Sequence, residues 1–200
     1  SGYGKPGFRV GEICFNTSMT GYQEILTDPS YKSQIIVFTF PHIGNVGTNH
    51  QDIESKCCFA SGIVTRESIT ESSNWRSEDD FKNWTKKMNL PGISGIDTRA
   101  LTKFIRLNKA PKGIICYDPF KHFDIPKLKK EIKNWNGLNN LDLVTKVTSK
   151  NIYEWDKKIW KINNQSNSLL KESKLHVVVI DFGIKFNILR NLYEIGLKVT

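Results

Sequence analysis

"HVVVIDFGIKFNILRNLYEIGLKVT", His176 to Thr200, is the stretch on which the fold turns. "HVVVID" is an unbroken apolar, β-branched run, and such a run suits a strand buried on both faces of a parallel sheet. Gly183 follows as a tight turn. Ile184, Ile188, Leu189, Leu192 and Ile195 then recur at helical spacing, and Gly196 stands where a helix would stop. "LKVT" reads as a second strand setting out. One crossover of this kind cannot bury its own apolar faces. The segment is therefore expected to be the start of a larger parallel sheet whose further strands are encoded after Thr200.

Working outward, the 200 residues are enough for one or two domains with a real core. No apolar run approaches the roughly 20 residues that a membrane-spanning helix needs. The opening "SGYGKPGFRV" does not begin with Met and reads as an internal starting point. A net charge of +9 invites a nucleic-acid reading. The basic residues are scattered, however, and the densest run, "KLKKEIKNW" (Lys127 to Trp135), reads as the wet face of a helix. Neither nucleic acid nor a membrane is expected as a partner. Cys14, Cys57, Cys58 and Cys116 fit no zinc-ligand spacing, and a vicinal pair rarely bridges internally. Reduced, mostly buried thiols in a cytoplasmic protein are expected, and no metal site.

Before residue 175, strands and helices mix without strict alternation. "VGEICFNT", "QIIVFTF" (Gln34 to Phe40), "CCFASGIVTRE" (Cys57 to Glu67) and "KGIICYD" (Lys112 to Asp118) read as strands, with Gly62 at a bulge or close approach. "TGYQEIL" suits a short helix capped by Thr20. Ser77 to Asn89 suits another, capped by Ser77, with Phe81, Trp84 and Met88 down one face. Asp97 is the expected cap of a helix to Lys109 that turns Leu101, Phe104 and Ile105 inward. Further helices are expected near Ile125 to Trp135 and Leu141 to Val147. "TDPSY" (Thr27 to Tyr31) is a turn with Ser30 near its apex. Tyr153 to Lys174 opens with alternating large residues, as a hairpin or extended arm would, and decays into "NNQSNS" (163–168), which has linker composition. The expected class is α/β: an irregular β/β/α domain over 1–150, an arm and linker over 151–175, and the first strand–helix unit of a parallel-sheet domain over 176–200.

Several short motifs carry plainer explanations than chemistry. "DFG" lacks the glycine-rich loop, strand lysine and catalytic loop that kinase chemistry needs. "SGYGKPG" has no strand before it and no Ser or Thr after its lysine, so it is not read as a phosphate loop. His42 has no second His or carboxylate at ligand spacing. Cys14 and Cys57 do not stand at strand-to-helix elbows, where a thiolate gains from the helix N-terminus. Ser18, Thr20, Ser30 and Asn45 lie on turns that could shape a surface for a ligand.

The stretch from Gly11 to Asn49 narrows the choice. "FNTSMTGYQEILTDPSY" and "PHIGNVGTN" closely resemble the N-terminal domain of the glutamine-handling small subunit of carbamoyl-phosphate synthetase. "GIDTRALTKFIR" (Gly95 to Arg106) and "GIICYD" continue the resemblance in order. "VVVIDFGIKFNILRNL" is similar to the first strand and helix of that family's class I glutamine amidotransferase domain.

The resemblance implies a subunit that hydrolyses glutamine and passes ammonia to a large subunit. The large subunit uses bicarbonate, ATP and Mg to make carbamoyl phosphate for arginine and pyrimidine synthesis. No cofactor is implied for the small subunit. The family's Cys–His–Glu machinery is expected beyond Thr200, so no catalytic residue is assigned in this chain and this piece alone is expected to be inactive. The family normally has an extra strand or two ahead of "GEICF", so the resemblance implies a domain over 1–150 that lacks its first strands. One substrate residue carries over: the serine of "DPSY", here Ser30, which in the family reaches glutamine. The large subunit and L-glutamine are the implied partners. The rival expectation is a stand-alone binding module that keeps only the N-terminal domain.

Overall fold

The run "QIIVF" anchors the architecture because apolar residues occupy both of its faces. In the computed structural model, which describes residues 1–139, 141–162 and 175–200, this run is β3 (Gln34–Phe38). It lies inside a six-stranded sheet with β1 (Gly2–Gly4), β2 (Gly7–Asn16), β4 (Gly62–Val64), β5 (Pro91–Ile93) and β6 (Lys112–Tyr117), in the order β1-β5-β4-β3-β2-β6. The central pairs β2–β3, β3–β4 and β4–β5 are parallel; the outer pairs β1–β5 and β2–β6 are antiparallel. The result is a mixed α/β fold, as the sequence indicates.

The side chains of β3 alternate between two cores. Ile36 and Phe38 join Tyr22, Leu26, Ile63, Phe81 and Trp84 on one face. Ile35 and Val37 join Val64, Ile105 and Ile115 on the other. Gly62 is a close approach: a Cβ there would stand 2.6 Å from the Ile115 side chain and 3.2 Å from the Pro91 carbonyl. At the opposite ends of the strand order, a Cβ on Gly2 would strike the Tyr117 ring at 2.1 Å. The sheet is thus curled enough to bring its two edge strands together.

Helices cover this sheet: α1 (Tyr22–Thr27), α2 (Phe81–Lys87), α3 (Thr98–Asn108) and α4 (Ile125–Asn134). Asp97 caps α3 by accepting from the Ala100 N–H at 3.0 Å, as expected. Other boundaries differ from the sequence reading. The α2 cap is Asp80, which accepts from the Asn83 N–H, while the Ser77 hydroxyl donates to the Asp79 carbonyl. The residue ahead of α1 is Gly21 at φ 77°, and Thr20 makes no cap. The 57–67 strand shrinks to three residues: Gly62–Val64 pair with β3, and Ile63 and Val64 also pair with β5. Phe104 is half exposed instead of inward, since Thr98, Leu101 and Ile105 already fill the covered side of α3. β1 has no signature in the sequence: "GYG" is too short and glycine-rich to read as a strand.

The chain divides into two compact units, Ser1–Leu141 and Asp142–Thr200. The second holds α5 (Val144–Val147), β7 (His176–Val177), α6 (Phe186–Glu194) and β8 (Lys198–Val199). β7 and β8 are parallel, so the crossover from His176 onward is present. In the arm, Trp155 forms an antiparallel bridge with Val199. The linker-like 163–168 lies outside the described residues. Helix α6 ends at Gly196, φ 90°, whose N–H donates to the Tyr193 carbonyl while the Leu197 N–H reaches back to Leu192. The Asp181 carboxylate accepts from the Gly183, Ile184 and Ser149 N–H groups. "DFG" is therefore a turn anchor. The expected burial of "HVVVID" on both faces is not found. Val177 and Val179 are half-buried, while Val178, Ile180 and Phe182 are 69%, 74% and 70% exposed, because among the described residues one strand pairs with β7 and one side chain layer covers it.

Candidate functional site

The segment from Thr20 to Gln34 carries two features, one at each end of α1. At the C-terminal end, Asp28 closes the helix and starts a single 3-10 turn over Pro29–Tyr31. Pro29 fixes φ at the first position, and the Asp28 carboxylate accepts from the Ser30 N–H at 2.9 Å. The Gln34 side chain donates to the Ser30 carbonyl at 3.2 Å. The Ser30 backbone is thus held on both sides. Its side chain is exposed, and its hydroxyl has no hydrogen-bond partner among the described residues. An oriented backbone with an uncommitted hydroxyl can both donate to and accept from a ligand.

At the N-terminal end, α1 is clipped to two distant loops by a chain of polar contacts. Gln23 donates to the Asn49 carbonyl at 2.6 Å and accepts from the Asn49 N–H at 3.0 Å. The Asn49 side chain donates to Asp52 at 2.8 Å, and Arg76 pairs with the other Asp52 oxygen at 2.7 Å. The Tyr22 hydroxyl donates to the Gly47 carbonyl at 3.1 Å. These contacts frame a cavity of about 270 Å³ whose lining includes Thr20, Gln23, Glu24, Asn49, Asp52 and Arg76. Burial pushes the Glu24 carboxyl up to about 7; the charges of Asp52 and Glu54 add to this and Arg76 opposes it. The cavity wall therefore holds an acid that exchanges protons near neutral pH.

Thr20 lines this cavity, Ser18 and Asn45 do not, and His42 is exposed with no carboxylate partner among the described residues. Nucleophile chemistry is disfavoured at all four thiols. Burial raises Cys14 to about 11, and raises Cys57, Cys58 and Cys116 as well. Among the described residues, no group of three or more His, Cys, Asp or Glu is placed to hold a metal ion, and no helix is long and apolar enough to cross a membrane. The Asp52–Arg76 pair and its cavity were not read from the sequence. Asp52 and Arg76 lie 24 residues apart, and the cavity draws on three separate segments, so no local pattern marks either.

Comparison with known proteins gives the same direction for the whole chain. Residues 1–115 match the family described as "Carbamoyl-phosphate synthase small chain, CPSase domain". The carbamoyl phosphate synthase small chain of Bartonella henselae is 52% identical over 203 positions, covering 100% of this chain and 51% of that protein. The corresponding protein of Zymomonas mobilis subsp. mobilis is 48% identical, with 100% and 53% covered, and that of Caulobacter vibrioides is 45% identical, with 100% and 52% covered. The chain spans about half the length of the curated relatives it matches. With the family matched over more than half of its residues, the chain belongs to the carbamoyl-phosphate synthase small chain family.

Proposed function

We propose that this chain supplies the first half of the small chain of a glutamine-dependent carbamoyl-phosphate synthase. In this reading the whole small chain hydrolyses glutamine, and the ammonia passes to a large subunit that makes carbamoyl phosphate from bicarbonate and ATP. ATP and Mg belong to that large subunit, the small chain carries no cofactor, and the assembly works in the cytoplasm on arginine and pyrimidine precursors. The observation that supports it most is the near-50% identity to small chains along the full length of this chain.

Within that reading, Ser30 contacts glutamine. The support is its exposed hydroxyl on a backbone pinned by Asp28 and Gln34. Amide hydrolysis requires a nucleophile activated by a base and an oxyanion hole. In this reading the chain assists substrate binding, and its thiols, raised by burial, are poor nucleophiles. Two measurements test the proposal. The 200-residue chain given glutamine should release no glutamate above background. In the full-length small chain bound to its large partner, Ser30→Ala should raise KM for glutamine by about tenfold while kcat changes by less than about twofold, as loss of one hydrogen bond to substrate would do. An unchanged KM would remove Ser30 from the site.

A further inference from the structure

The turn that carries Ser30 is placed by one set of bonds and aimed by another. Its own backbone closes it: the Tyr31 N–H donates to the Asp28 carbonyl and the Lys32 N–H to the Pro29 carbonyl, both at 3.1 Å. Its two ends are tied to a separate segment. The Phe59 N–H donates to the Leu26 carbonyl at 3.2 Å, and the Ser33 N–H donates to the Phe59 carbonyl at 3.3 Å. Ahead of Phe59, the Glu54 N–H donates to the Thr27 hydroxyl at 2.8 Å, and the Ser55 hydroxyl donates to the Thr27 carbonyl. Thr27 is fully buried. These bonds fix where the turn sits without the Asp28 side chain. That carboxylate belongs to a residue only 5% exposed, and it accepts from the Ser30 N–H at 2.9 Å. A carboxylate is costly to take out of water, and a charge-assisted bond to an amide offsets part of that cost. The Ser30 amide is thereby occupied. What residue 30 offers a ligand is its hydroxyl, which has no partner among the described residues.

We infer that Asp28 is a positioning residue for glutamine: by holding the Ser30 N–H, its carboxylate sets the direction in which the Ser30 hydroxyl meets the substrate. This rests on the reading of Ser30 given above. With the peptide fixed, the hydroxyl has only its own side-chain rotation left to settle, so less freedom is lost when the ligand binds. Asp28 is buried and acts through Ser30, without touching glutamine itself. Its contribution therefore falls on binding and not on the chemical step. Asparagine keeps an acceptor for the same bond and caps about as well as aspartate, whereas alanine has no acceptor.

The test is a double-mutant cycle in the full-length small chain bound to its large partner, read as glutamine KM and kcat. Asp28→Ala should raise KM by about three- to tenfold, with kcat within about twofold of the parent. Asp28→Asn should stay within about twofold of the parent in both. Asp28→Ala/Ser30→Ala should match Ser30→Ala alone, because a residue that works through the hydroxyl has nothing left to position once it is gone. Where Asp28→Ala does not fold, as judged by thermal melting, Asp28→Gly takes its place, since glycine at a cap costs little and also lacks the carboxylate. A KM within twofold of the parent, when Ser30→Ala alone raises it, overturns the role of Asp28 and leaves Ser30 in the site. So does a rise in KM as large in the Ser30→Ala background as in the parent, or an Asp28→Asn variant as impaired as Asp28→Ala. Ser30→Ala with an unchanged KM overturns the reading of Ser30 and this inference with it.

Discussion

β3 and the run beginning at β7 are built from the same kind of sequence, "QIIVF" and "HVVVI", yet their surroundings differ. In β3, Ile35 to Phe38 are all buried, because β2 and β4 pair on either edge and a core lies on each face. In the run that starts at β7, Val179 packs against the Trp155–Leu189–Val199 cluster and Val177 is half-buried, while Val178 and Ile180 face outward. The Val179 N–H bonds to the Thr200 carbonyl, but the Val178 and Ile180 N–H groups have no partner among the described residues. A continuous apolar run therefore records a demand for two covered faces and two paired edges. The first unit meets that demand from its own residues; the second meets half of it.

The largest expected effect breaks the well-covered side of this comparison. Phe81 is fully buried, with the Tyr22 ring 4.7 Å away edge-on and the Trp84 ring stacked at 5.8 Å. Phe81→Ala should cost about 3–5 kcal/mol in urea unfolding of this chain. The double change Val178→Ala/Ile180→Ala should cost less than about 0.5 kcal/mol in the same chain, because those side chains are already in water. A loss comparable to that of Phe81→Ala would mean the outward face is covered.

Two glycines sharpen the same contrast at intermediate size. Gly62 serves for space: its missing Cβ leaves room for Ile115, so Gly62→Ala should cost about 1–3 kcal/mol through overpacking. Gly196 serves for conformation: nothing lies within 4 Å of a Cβ there, but φ is 90°. Gly196→Ala should cost about 1 kcal/mol from backbone strain alone. Thermal melts of both variants check the ordering.

The smallest of the expected losses and gains outside the Val178/Ile180 control pair is electrostatic. The Glu24 carboxyl is raised to about 7 in the fold, above its ordinary value of 4.5. Between those values the folded state holds more protons than the unfolded one, so stability falls as pH rises through that window. Glu24→Gln should flatten this slope and leave the protein more stable at pH 8 by on the order of 1 kcal/mol, with exposure reducing the effect. An unchanged slope in pH-dependent denaturation would show that Glu24 titrates normally.

Much of this organisation is legible in the chain because it is local. The β-branched run of β3, the Asp97 cap and the Gly196 stop depend on residues a few positions apart. The α2 start is ambiguous in the sequence because "SEDD" offers several caps in a row, and packing of Phe81 and Trp84 selects Asp80. Phe104 reads as a core residue because it lies on the same apolar arc as Leu101 and Ile105, and helical periodicity does not mark where the covered part of that arc ends. The Ser30 turn is visible as Asp-Pro chemistry. The cavity beside Glu24 is not, since Gln23, Asn49, Asp52 and Arg76 meet only after three separate segments have folded.

Hydrogen exchange tests the central claim most directly, by comparing the 200-residue chain with a small chain of full family length. In the shorter chain, amides of β3 and β4 should exchange at least about 100-fold more slowly than those of Val178 and Ile180, whose edge and face lie open. In the longer chain the Val178 and Ile180 amides should slow towards the β3 rates as further strands pair with them. Equal protection of the two regions in the 200-residue chain, or no change on lengthening it, would contradict the account.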